Sequence, residues 1–316
     1  MQLEELSLEG SVPPRLLVVW YRIQFDEYPV LEQILSRSRF GPQKLVSLEL
    51  AERRQVCYVV ETLLSDAQKV LFASTSIFVL ITGLFWLGGA WEWSGLVRLK
   101  GIKRVLYTFF VAILMFVLVV VNQVQGWLSL VTSVALIWWM IACLLLFVRP
   151  HLIPLSLVAI TGPFVLLPSW FLLVYFHQNL TVGIELILCM LFIVWAADVG
   201  AFFAGTFWGK VKLAPQISPG KTWEGFIGGI GLAVLVAFFA SYLFEIPRVP
   251  FMTIAIATAM ASVVGDLSVS LFKRNVGLKN SGNILPGHGG ILDRIDSLTP
   301  AIPVFAFGLT VSGISV

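Results

Sequence analysis

Residues 105–122 read VLYTFFVAILMFVLVVVN, a run without a single Asp, Glu, Lys or Arg. A helix needs about 20 predominantly apolar residues to cross the hydrocarbon core of a bilayer, so this run predicts a transmembrane helix. The same pattern recurs along the chain, and we predict about eight spans, at 70–91, 105–122, 127–148, 155–176, 182–204, 225–244, 250–271 and 298–316. These spans predict an all-α fold, a polytopic transmembrane helix bundle.

The composition excludes an ordinary soluble globular protein. Of the 316 residues, 58% are hydrophobic and only 12% are charged, whereas soluble domains contain about 25% charged residues. The three cysteines, Cys57, Cys143 and Cys189, have neither the spacing of a zinc site nor the pattern of a disulfide framework. We expect them to be small buried hydrophobic residues.

The basic residues are distributed unevenly among the loops. Twelve lie in the loops 92–104, 149–154, 205–224 and 272–297, whereas the intervening loops carry only Arg248. Because cytoplasmic loops of membrane proteins carry an excess of Lys and Arg, we predict that these four loops face the cytoplasm. The absence of a eukaryotic targeting signal favours a bacterial inner membrane.

Residues 1–69 differ from the rest of the chain. They contain eight basic and ten acidic residues and no stretch long enough to span a bilayer, and Met1 is not followed by a signal peptide. We therefore predict an atypical polar N-terminal segment, 1–69, and a transmembrane domain, 70–316. With the loop 92–104 in the cytoplasm, one span before it would place the segment outside the cell, unless residues 16–20 form a re-entrant or interfacial piece or the natural start of the membrane domain differs from this chain.

Two carboxylates lie inside predicted spans, Asp198 in the sequence WAAD and Asp266 in the sequence VVGD. A buried carboxylate is costly unless a cationic side chain or a metal pairs with it. If the seventh span stays helical to its end, Asp266, Ser270 and Lys273 share one of its faces. A partner for Asp266 is therefore expected at the cytoplasmic mouth of the bundle.

Asp293 and Asp296 are three residues apart, so they also share one face if the eighth span begins there. Carboxylates from both segments could then meet at the mouth of the bundle. Carboxylate, water and phosphate oxygens are the ligands that Mg²⁺ prefers. The sequence therefore predicts a magnesium site beside Asp266.

Basic residues near these carboxylates are candidates for binding phosphate, which Arg can contact bidentately and Lys as a point charge. They are Lys273, Arg274, Lys279 and Arg294. Among them, residues 286–290 read PGHGG and include His288. Glycines in such a turn let backbone N–H groups approach a phosphate closely.

A second candidate for phosphate binding is the segment 218–225, which reads SPGKTWEG. It is not a nucleotide-binding P-loop, because the first glycine of that motif is missing and no β-strand is expected before it. A Gly-Lys-Thr turn that opens a helix is nevertheless suited to phosphate, because helix N-termini attract anions.

Simpler interpretations exist for several charged residues. The basic residues at 98–104 are predicted to be topology signals. Asp198 alone could be a structural ion-pair partner. Glu92, in the sequence WEW, is predicted to lie in the interfacial belt. The combination of paired carboxylates, basic residues and a glycine-rich turn on one face favours a functional site.

Residues 270–296 read SLFKRNVGLKNSGNILPGHGGILDRID, and this stretch resembles the signature of the phosphatidate cytidylyltransferases, also called CDP-diacylglycerol synthases. The stretches 195–198 and 218–225 are similar to that family as well. The resemblance covers roughly 64–316 and is strongest over 192–305. It implies transfer of a cytidylyl group from CTP to phosphatidate, giving CDP-diacylglycerol and pyrophosphate.

The resemblance also implies a role for each candidate residue. Asp266 and Asp293 would hold one or two Mg²⁺ ions with Asp296 in support, and Lys273 would act with them in catalysis. The residues implied in binding CTP or the lipid phosphate are Ser218, Lys221, Thr222, Ser270, Arg274, Lys279, His288 and Arg294. The implied partners are CTP, phosphatidate and membrane lipid, without nucleic acid, and a homodimer is compatible with them.

One position departs from the family pattern, which has Lys-Asp where this chain has Lys279-Asn280. Asn keeps an oxygen ligand and loses the negative charge, which leaves a catalytically weak, regulatory paralogue open. A cytidylyl- or phosphotransferase acting on a polyprenyl phosphate is also open. A cation-coupled transporter using Asp198 and Asp266 is disfavoured, because the charges are concentrated at one face instead of along a pore.

Overall fold

The computed structural model of the protein describes residues 74–121, 126–148, 154–179, 183–278, 281–282 and 289–314. The elements are α1 (Thr75–Leu96), α2 (Ile102–Val121), α3 (Trp127–Val148), α4 (Leu155–Asn179), α5 (Gly183–Trp208), β1 (Lys212–Ala214), β2 (Ser218–Thr222), α6 (Trp223–Leu243), α7 (Arg248–Asn275), α8 (Leu292–Ile295) and α9 (Leu298–Val311). They belong to one compact unit, Ser74–Val316. The predicted polar segment 1–69 lies outside the described residues, so what is predicted of it stays a prediction.

The predicted all-α membrane fold is confirmed. Within the described part of the chain, α1 to α7 are each long and apolar enough to cross a membrane, and each overlaps one of the first seven predicted spans with shifted ends. The eighth predicted span, 298–316, corresponds to α9, whose 14 residues are fewer than the roughly 20 that a crossing requires. The chain is therefore an integral membrane protein.

The outer faces of the bundle are apolar, as surfaces in contact with lipid should be. The helix α2 buries only Val111 and Met115, whereas Phe109 and Phe116 on the same helix are 61% and 68% exposed. Soluble monomers rarely expose continuous apolar surface on this scale. In a bilayer the same surface faces acyl chains, so the exposure is consistent with the membrane assignment.

The helix α4 continues through Pro163 and Pro168. A proline inside a helix has no N–H for the carbonyl four residues earlier, so Pro163 leaves the carbonyl of Ala159 without its usual helical partner. The Tyr107 hydroxyl of α2 donates to this carbonyl at 2.9 Å. A neighbouring helix thus satisfies the backbone group that the proline frees, as bundles in lipid require.

The helices α5 and α6 approach each other through small residues. A Cβ added at Gly200 of α5 would lie 2.7 Å from the Gly228 carbonyl oxygen. A Cβ added at Gly229 of α6 would lie 2.5 Å from the Ala197 carbonyl oxygen. Small side chains allow such backbone contact in membranes, where dispersion between close helices replaces the hydrophobic effect.

We expect Gly229→Leu to force α5 and α6 apart and to destabilise the bundle by about 1–3 kcal/mol, the usual cost of overpacking. The matched control is Gly231→Leu on the same helix, where an added Cβ meets nothing within 4 Å. Thermal unfolding of both variants in detergent should show a lower midpoint for Gly229→Leu alone. Equal midpoints would mean that the close contact does not hold the two helices together.

Three of the basic loops gather at one end of the bundle. Arg98 Nη2 donates to the Val276 carbonyl at 3.4 Å, which joins the loop after α1 to the end of α7. Arg274 Nε donates to the Ile217 carbonyl at 3.4 Å, which joins the end of α7 to the β1–β2 hairpin. This grouping agrees with the prediction that the loops 92–104, 205–224 and 272–297 lie on one side of the membrane.

The segment between α5 and α6 contains a short antiparallel hairpin, in which Lys212 pairs with Thr222 and Ala214 pairs with Ser218. The expectation that no strand precedes the SPGKT segment is therefore wrong, because β1 comes just before it. The exclusion of a P-loop is unaffected, since that motif leaves a strand through a glycine-rich loop, whereas residues 218–222 themselves form β2.

Candidate active site

The last turns of α7 carry three predicted site residues on one face. Ser270 Oγ donates to Asp266 Oδ1 at 3.2 Å, so these two residues share one face of the helix as predicted. Lys273 follows one turn later and is only 8% exposed. Because α7 ends at Asn275, this face lies at the end of the bundle where the basic loops gather.

The central contact of the site joins α7 to α8. Lys273 Nζ donates to Asp293 Oδ1 at 2.8 Å. The other carboxylate oxygen of Asp293 accepts from the backbone N–H groups of Ser281 and Gly290, each at 3.1 Å. Asp293 is therefore held by three donors from three parts of the chain.

The pKa of Asp293 lies below its ordinary value, although its burial acts in the opposite direction. The hydrogen bond and positive charge of Lys273, together with the N–H groups of Gly290 and Ser281, favour the ionised form more strongly than burial disfavours it. Asp293 is thus an anion, held in one orientation and paired with a nearly buried cation.

A second ion pair joins the hairpin to α7. Lys221 Nζ lies 2.6 Å from Asp266 Oδ2, and their side chains are 27% and 31% exposed. Asp198 of α5 is close enough to interact electrostatically with both Lys221 and Asp266. Lys221 is therefore the cationic partner expected for Asp266, whereas Asp198 is exposed and makes no ion pair within the described residues.

The hairpin positions Lys221 by ending where α6 begins. Thr222 is the N-cap of α6, and its side-chain oxygen accepts from the Gly225 N–H at 3.1 Å. Such a cap satisfies one of the free N–H groups at the start of a helix. Thr222 is only 5% exposed, and its hydroxyl caps the helix. The neighbouring Lys221 side chain extends to Asp266 in the site.

Asp296 lies in the turn between α8 and α9 and is 6% exposed. Its Oδ1 accepts from the Ser297 N–H at 2.8 Å. Burial, followed by the negative charge of Asp266, raises the pKa of Asp296 to about 8, while the charge of Lys273 acts in the opposite direction. Although α8 and α9 are separate elements, Asp296 and Ser297 between them keep helical backbone angles, so Asp293 and Asp296 keep the helical spacing that the sequence predicts.

The donor set fits a divalent cation in its chemistry. Asp296 interacts electrostatically with both Asp266 and Asp293, and carboxylate oxygens are the hard ligands that Mg²⁺ prefers. In the part of the chain that the structure describes, no three acidic, His or Cys side chains are placed to hold one ion, and Lys221 and Lys273 pair with two of the carboxylates instead. The magnesium site stays a prediction.

The remaining predicted residues are placed as follows. Arg274 is exposed beside the hairpin, Ser218 begins β2, and Arg294 is exposed on α8. Lys279 and His288, with Asn280, lie outside the described residues, so their roles stay predictions. The structure brings Lys221, Asp266, Ser270, Lys273 and Asp293 together through the contacts given above.

One residue of this region was assigned wrongly from the sequence. Glu92 of α1 is predicted to be an interfacial belt residue, yet it is fully buried, with 0% of its surface exposed. Its carboxylate contacts the segment that leads into Asp293, accepting from the Leu292 N–H at 2.8 Å. The sequence places Glu92 just after the predicted span 70–91, and only the structure, in which α1 continues to Leu96, places it inside the helix.

Comparison with known proteins shows which family this chain resembles. Residues 58–312 match the Cytidylyltransferase family. The phosphatidate cytidylyltransferase of Pseudomonas aeruginosa is 40% identical over 254 residues, which cover 75% of this chain and 89% of the relative. That of Haemophilus influenzae is 36% identical over 255 residues, covering 73% and 88%. That of Bacillus subtilis is 44% identical over 128 residues, covering 40% and 47%.

The matched residues contain every contact of the site described above, from Glu92 on α1 to Asp296 before α9. The resemblance found in the signature 270–296 therefore extends over most of the membrane domain. The chain belongs to the cytidylyltransferase family.

Proposed function

We propose that the chain transfers the cytidylyl group of CTP to phosphatidate, giving CDP-diacylglycerol and pyrophosphate in phospholipid synthesis. The observation that carries the proposal is that two ion pairs, Lys273–Asp293 and Lys221–Asp266, lie at one end of the helix bundle. The chain that forms this bundle is 40% identical over 254 residues to a phosphatidate cytidylyltransferase. The relatives do not favour a polyprenyl phosphate acceptor, a regulatory paralogue or a transporter.

The reaction requires little acid–base help from the protein. An oxygen of the phosphatidate phosphate forms a bond to the α-phosphorus of CTP, and the bond from that phosphorus to the oxygen bridging to the β-phosphate breaks. Pyrophosphate carries away the electron pair. Because the nucleophile is already an anion, no proton must be removed, and the main obstacle is the repulsion between two polyanions.

The described residues can reduce that repulsion. Lys221 and Lys273 both have ammonium groups at the site, and phosphate oxygens can replace their carboxylate partners. Arg274 is exposed at the same end and offers a planar group suited to bidentate phosphate contact. These cations would orient the two substrates and hold the negative charge that collects on the leaving pyrophosphate.

The proposal includes Mg²⁺ held by Asp266 and Asp293, with Asp296 in support. When bound, the ion would neutralise charge on the transferred and leaving phosphate groups. The support is that Asp296 lies close enough to Asp266 and Asp293 for their negative charges to act on it, and a divalent cation would relieve such repulsion. A metal-binding role would also account for the acidic residues that lie beside the lysines in a site that binds anionic substrates.

We further propose that the site faces the cytoplasm of a bacterial inner membrane. The excess of basic residues in the loops at this end supports that orientation. CTP would then arrive from water and phosphatidate would arrive laterally between helices. A homodimer, with which the resemblance is compatible, is a separate prediction for light scattering of the detergent-solubilised protein.

The proposal is tested by following CTP labelled in its cytidine into a lipid-soluble product, with purified protein, phosphatidate and Mg²⁺. We expect the wild type to form labelled CDP-diacylglycerol and chelation of Mg²⁺ to stop the reaction. We expect Asp293→Asn to lower the rate about 100- to 1000-fold, as the loss of one preorganised charge in an active site does.

The matched control is Glu245→Gln, the same chemical change at an exposed residue after α6, at the opposite end of that helix from the hairpin. It should leave the rate unchanged. If folded wild-type protein binds CTP and forms no lipid product from phosphatidate, the proposed substrate is wrong. If Asp293→Asn keeps the wild-type rate while the wild type makes product, the proposed metal site is wrong and the reaction stands.

A further inference from the structure

The carboxylate of Glu92 is the least exposed acidic group of the described residues, with 0% of its surface exposed, and the reaction described above does not use it. Burial of a charged carboxylate is unfavourable unless donors or cations compensate it. A position in the membrane domain makes the cost larger, so a specific role is expected for it. The contacts of its two oxygens indicate what that role is.

One oxygen of Glu92 joins two separate segments of the chain. Its Oε2 accepts from the Leu292 N–H at 2.8 Å and from the Ser281 hydroxyl at 3.0 Å. Ser281 follows the end of α7, and Leu292 is the first residue of α8. Glu92 therefore ties α1 to both ends of the stretch that connects α7 with α8.

The same two segments hold Asp293. The backbone N–H groups of Ser281 and Gly290 both donate to Asp293 Oδ2 at 3.1 Å. Glu92 thus binds Ser281 by its hydroxyl while the N–H of that residue binds Asp293. It also binds Leu292, the neighbour of Asp293 in the chain. Glu92 does not touch Asp293, but it fixes the groups that do.

The surrounding glycines are fitted to this carboxylate. A Cβ added at Gly282 or at Gly290 would lie 2.7 Å from the Glu92 carboxylate carbon, which is closer than real Cβ atoms approach. Both glycines therefore allow the chain to pass directly against Glu92. Arg104 of α2 interacts electrostatically with Glu92 and partly compensates its charge.

We propose that Glu92 is the positioning residue that fixes Asp293 at the mouth of the bundle, by hydrogen bonding to the segments on both sides of the α7–α8 connection. This inference deepens the proposed function, on which its catalytic consequence rests. Glu92 holds these segments through hydrogen bonds accepted by its Oε2, and its negative charge is not required. Oε2 makes both hydrogen bonds, while Oε1 has no hydrogen-bond partner among the described residues.

The test compares Glu92→Ala with Glu92→Gln. Alanine removes the acceptor, and we expect kcat to fall about 10- to 100-fold, as for other residues that orient active-site ligands. The KM for CTP and for phosphatidate should stay within about twofold, because Glu92 touches neither substrate in the proposed site. The amide oxygen of glutamine can accept both hydrogen bonds, so Glu92→Gln should keep kcat within about threefold of wild type.

A variant with a smaller change covers the case in which Glu92→Ala does not fold. Ser281→Ala removes one of the two donors and leaves α1 and the Leu292 N–H intact, and we expect kcat to fall about three- to tenfold, the effect of one hydrogen bond. A folded Ser281→Ala or Glu92→Ala protein with wild-type kcat would overturn the proposal. So would a folded Glu92→Gln protein as inactive as Glu92→Ala, because the charge would then be what matters.

A second readout does not depend on activity. Hydrogen–deuterium exchange of the backbone of residues 289–297 should be faster in Glu92→Ala than in wild type and unchanged in Glu92→Gln. Unchanged exchange in Glu92→Ala would contradict the proposal even if the wild type makes no lipid product. Conversely, faster exchange in that variant with an inactive wild type would support the positioning role and count against the proposed reaction alone.

Discussion

Lys273→Met is expected to give a less stable protein that has lost most of its cytidylyl transfer. The substitution keeps an unbranched side chain of similar length and removes the cation from a position that is 8% exposed. Asp293 then keeps only the N–H donors of Ser281 and Gly290. Breaking a buried ion pair by removing one partner costs about 3–5 kcal/mol, and the partial exposure of Asp293 places the expected cost near the lower value.

The loss of rate should be separable from the loss of stability. We expect Lys273→Met to lower the initial rate about 100- to 1000-fold at a temperature where the protein is folded. In the double variant with Asp293→Asn, the carboxylate that Lys273 pairs with is neutral as well, and the amide oxygen can still accept from Ser281 and Gly290. The unfolding midpoint should therefore recover while the rate does not.

These predictions are measured by thermal unfolding in detergent and by the labelled-CTP assay. The control is Lys103→Met at the exposed start of α2, which should change neither quantity. Recovery of both stability and rate in the double variant would contradict the view that Lys273 and Asp293 act on the substrates. Equal destabilisation in the single and double variants would show that packing of the lysine side chain, and not its charge, is what the fold requires.

The helices of this protein are predictable from sequence because the bilayer imposes one requirement on each of them. A run such as 105–122 has to be apolar and long enough to cross, and its composition alone meets that requirement. The contact between Ser270 and Asp266 is predictable for a similar reason, since it follows from helical spacing within one element. The short contacts between α5 and α6 follow from the local density of small residues.

The contacts between distant segments could not be predicted in the same way. Glu92 and Leu292 are 200 positions apart, and nothing in the sequence WEW distinguishes a carboxylate that faces the membrane interface from one that faces a loop inside the bundle. The end of the chain shows the same limit. Its apolar run predicts one span over 298–316, whereas α9 ends at Val311 and the short α8 before it places Asp293 against Lys273 of α7.

The hairpin between α5 and α6 illustrates a third case. The segment 218–225 is predicted to open a helix, which is confirmed by the cap at Thr222. The preceding strand was missed because β1 has only three residues, too few for an alternating pattern to be read. Its physical effect is nevertheless large, since pairing with β1 fixes the direction of β2 and thereby brings Lys221 to Asp266.

Lys221→Met and Asp266→Asn are expected to lower the rate as strongly as Lys273→Met while leaving stability nearly unchanged. The side chains of this pair are 27% and 31% exposed, and ion pairs open to solvent contribute about 0–1 kcal/mol. Water can solvate whichever partner remains. The rate should still fall about 100-fold or more, because both groups lie where the substrates and the proposed Mg²⁺ would bind.

A charge exchange separates a structural pair from a catalytic one. The double variant Lys221→Asp with Asp266→Lys can restore an ion pair between β2 and α7, with the charges on the opposite elements. If the pair served only to hold the hairpin against the helix, the exchange should restore the rate to within about tenfold of wild type. We expect no recovery, because the cation would then lie on α7, where the proposed metal ligand belongs, and the carboxylate would lie on the hairpin, where phosphate should bind.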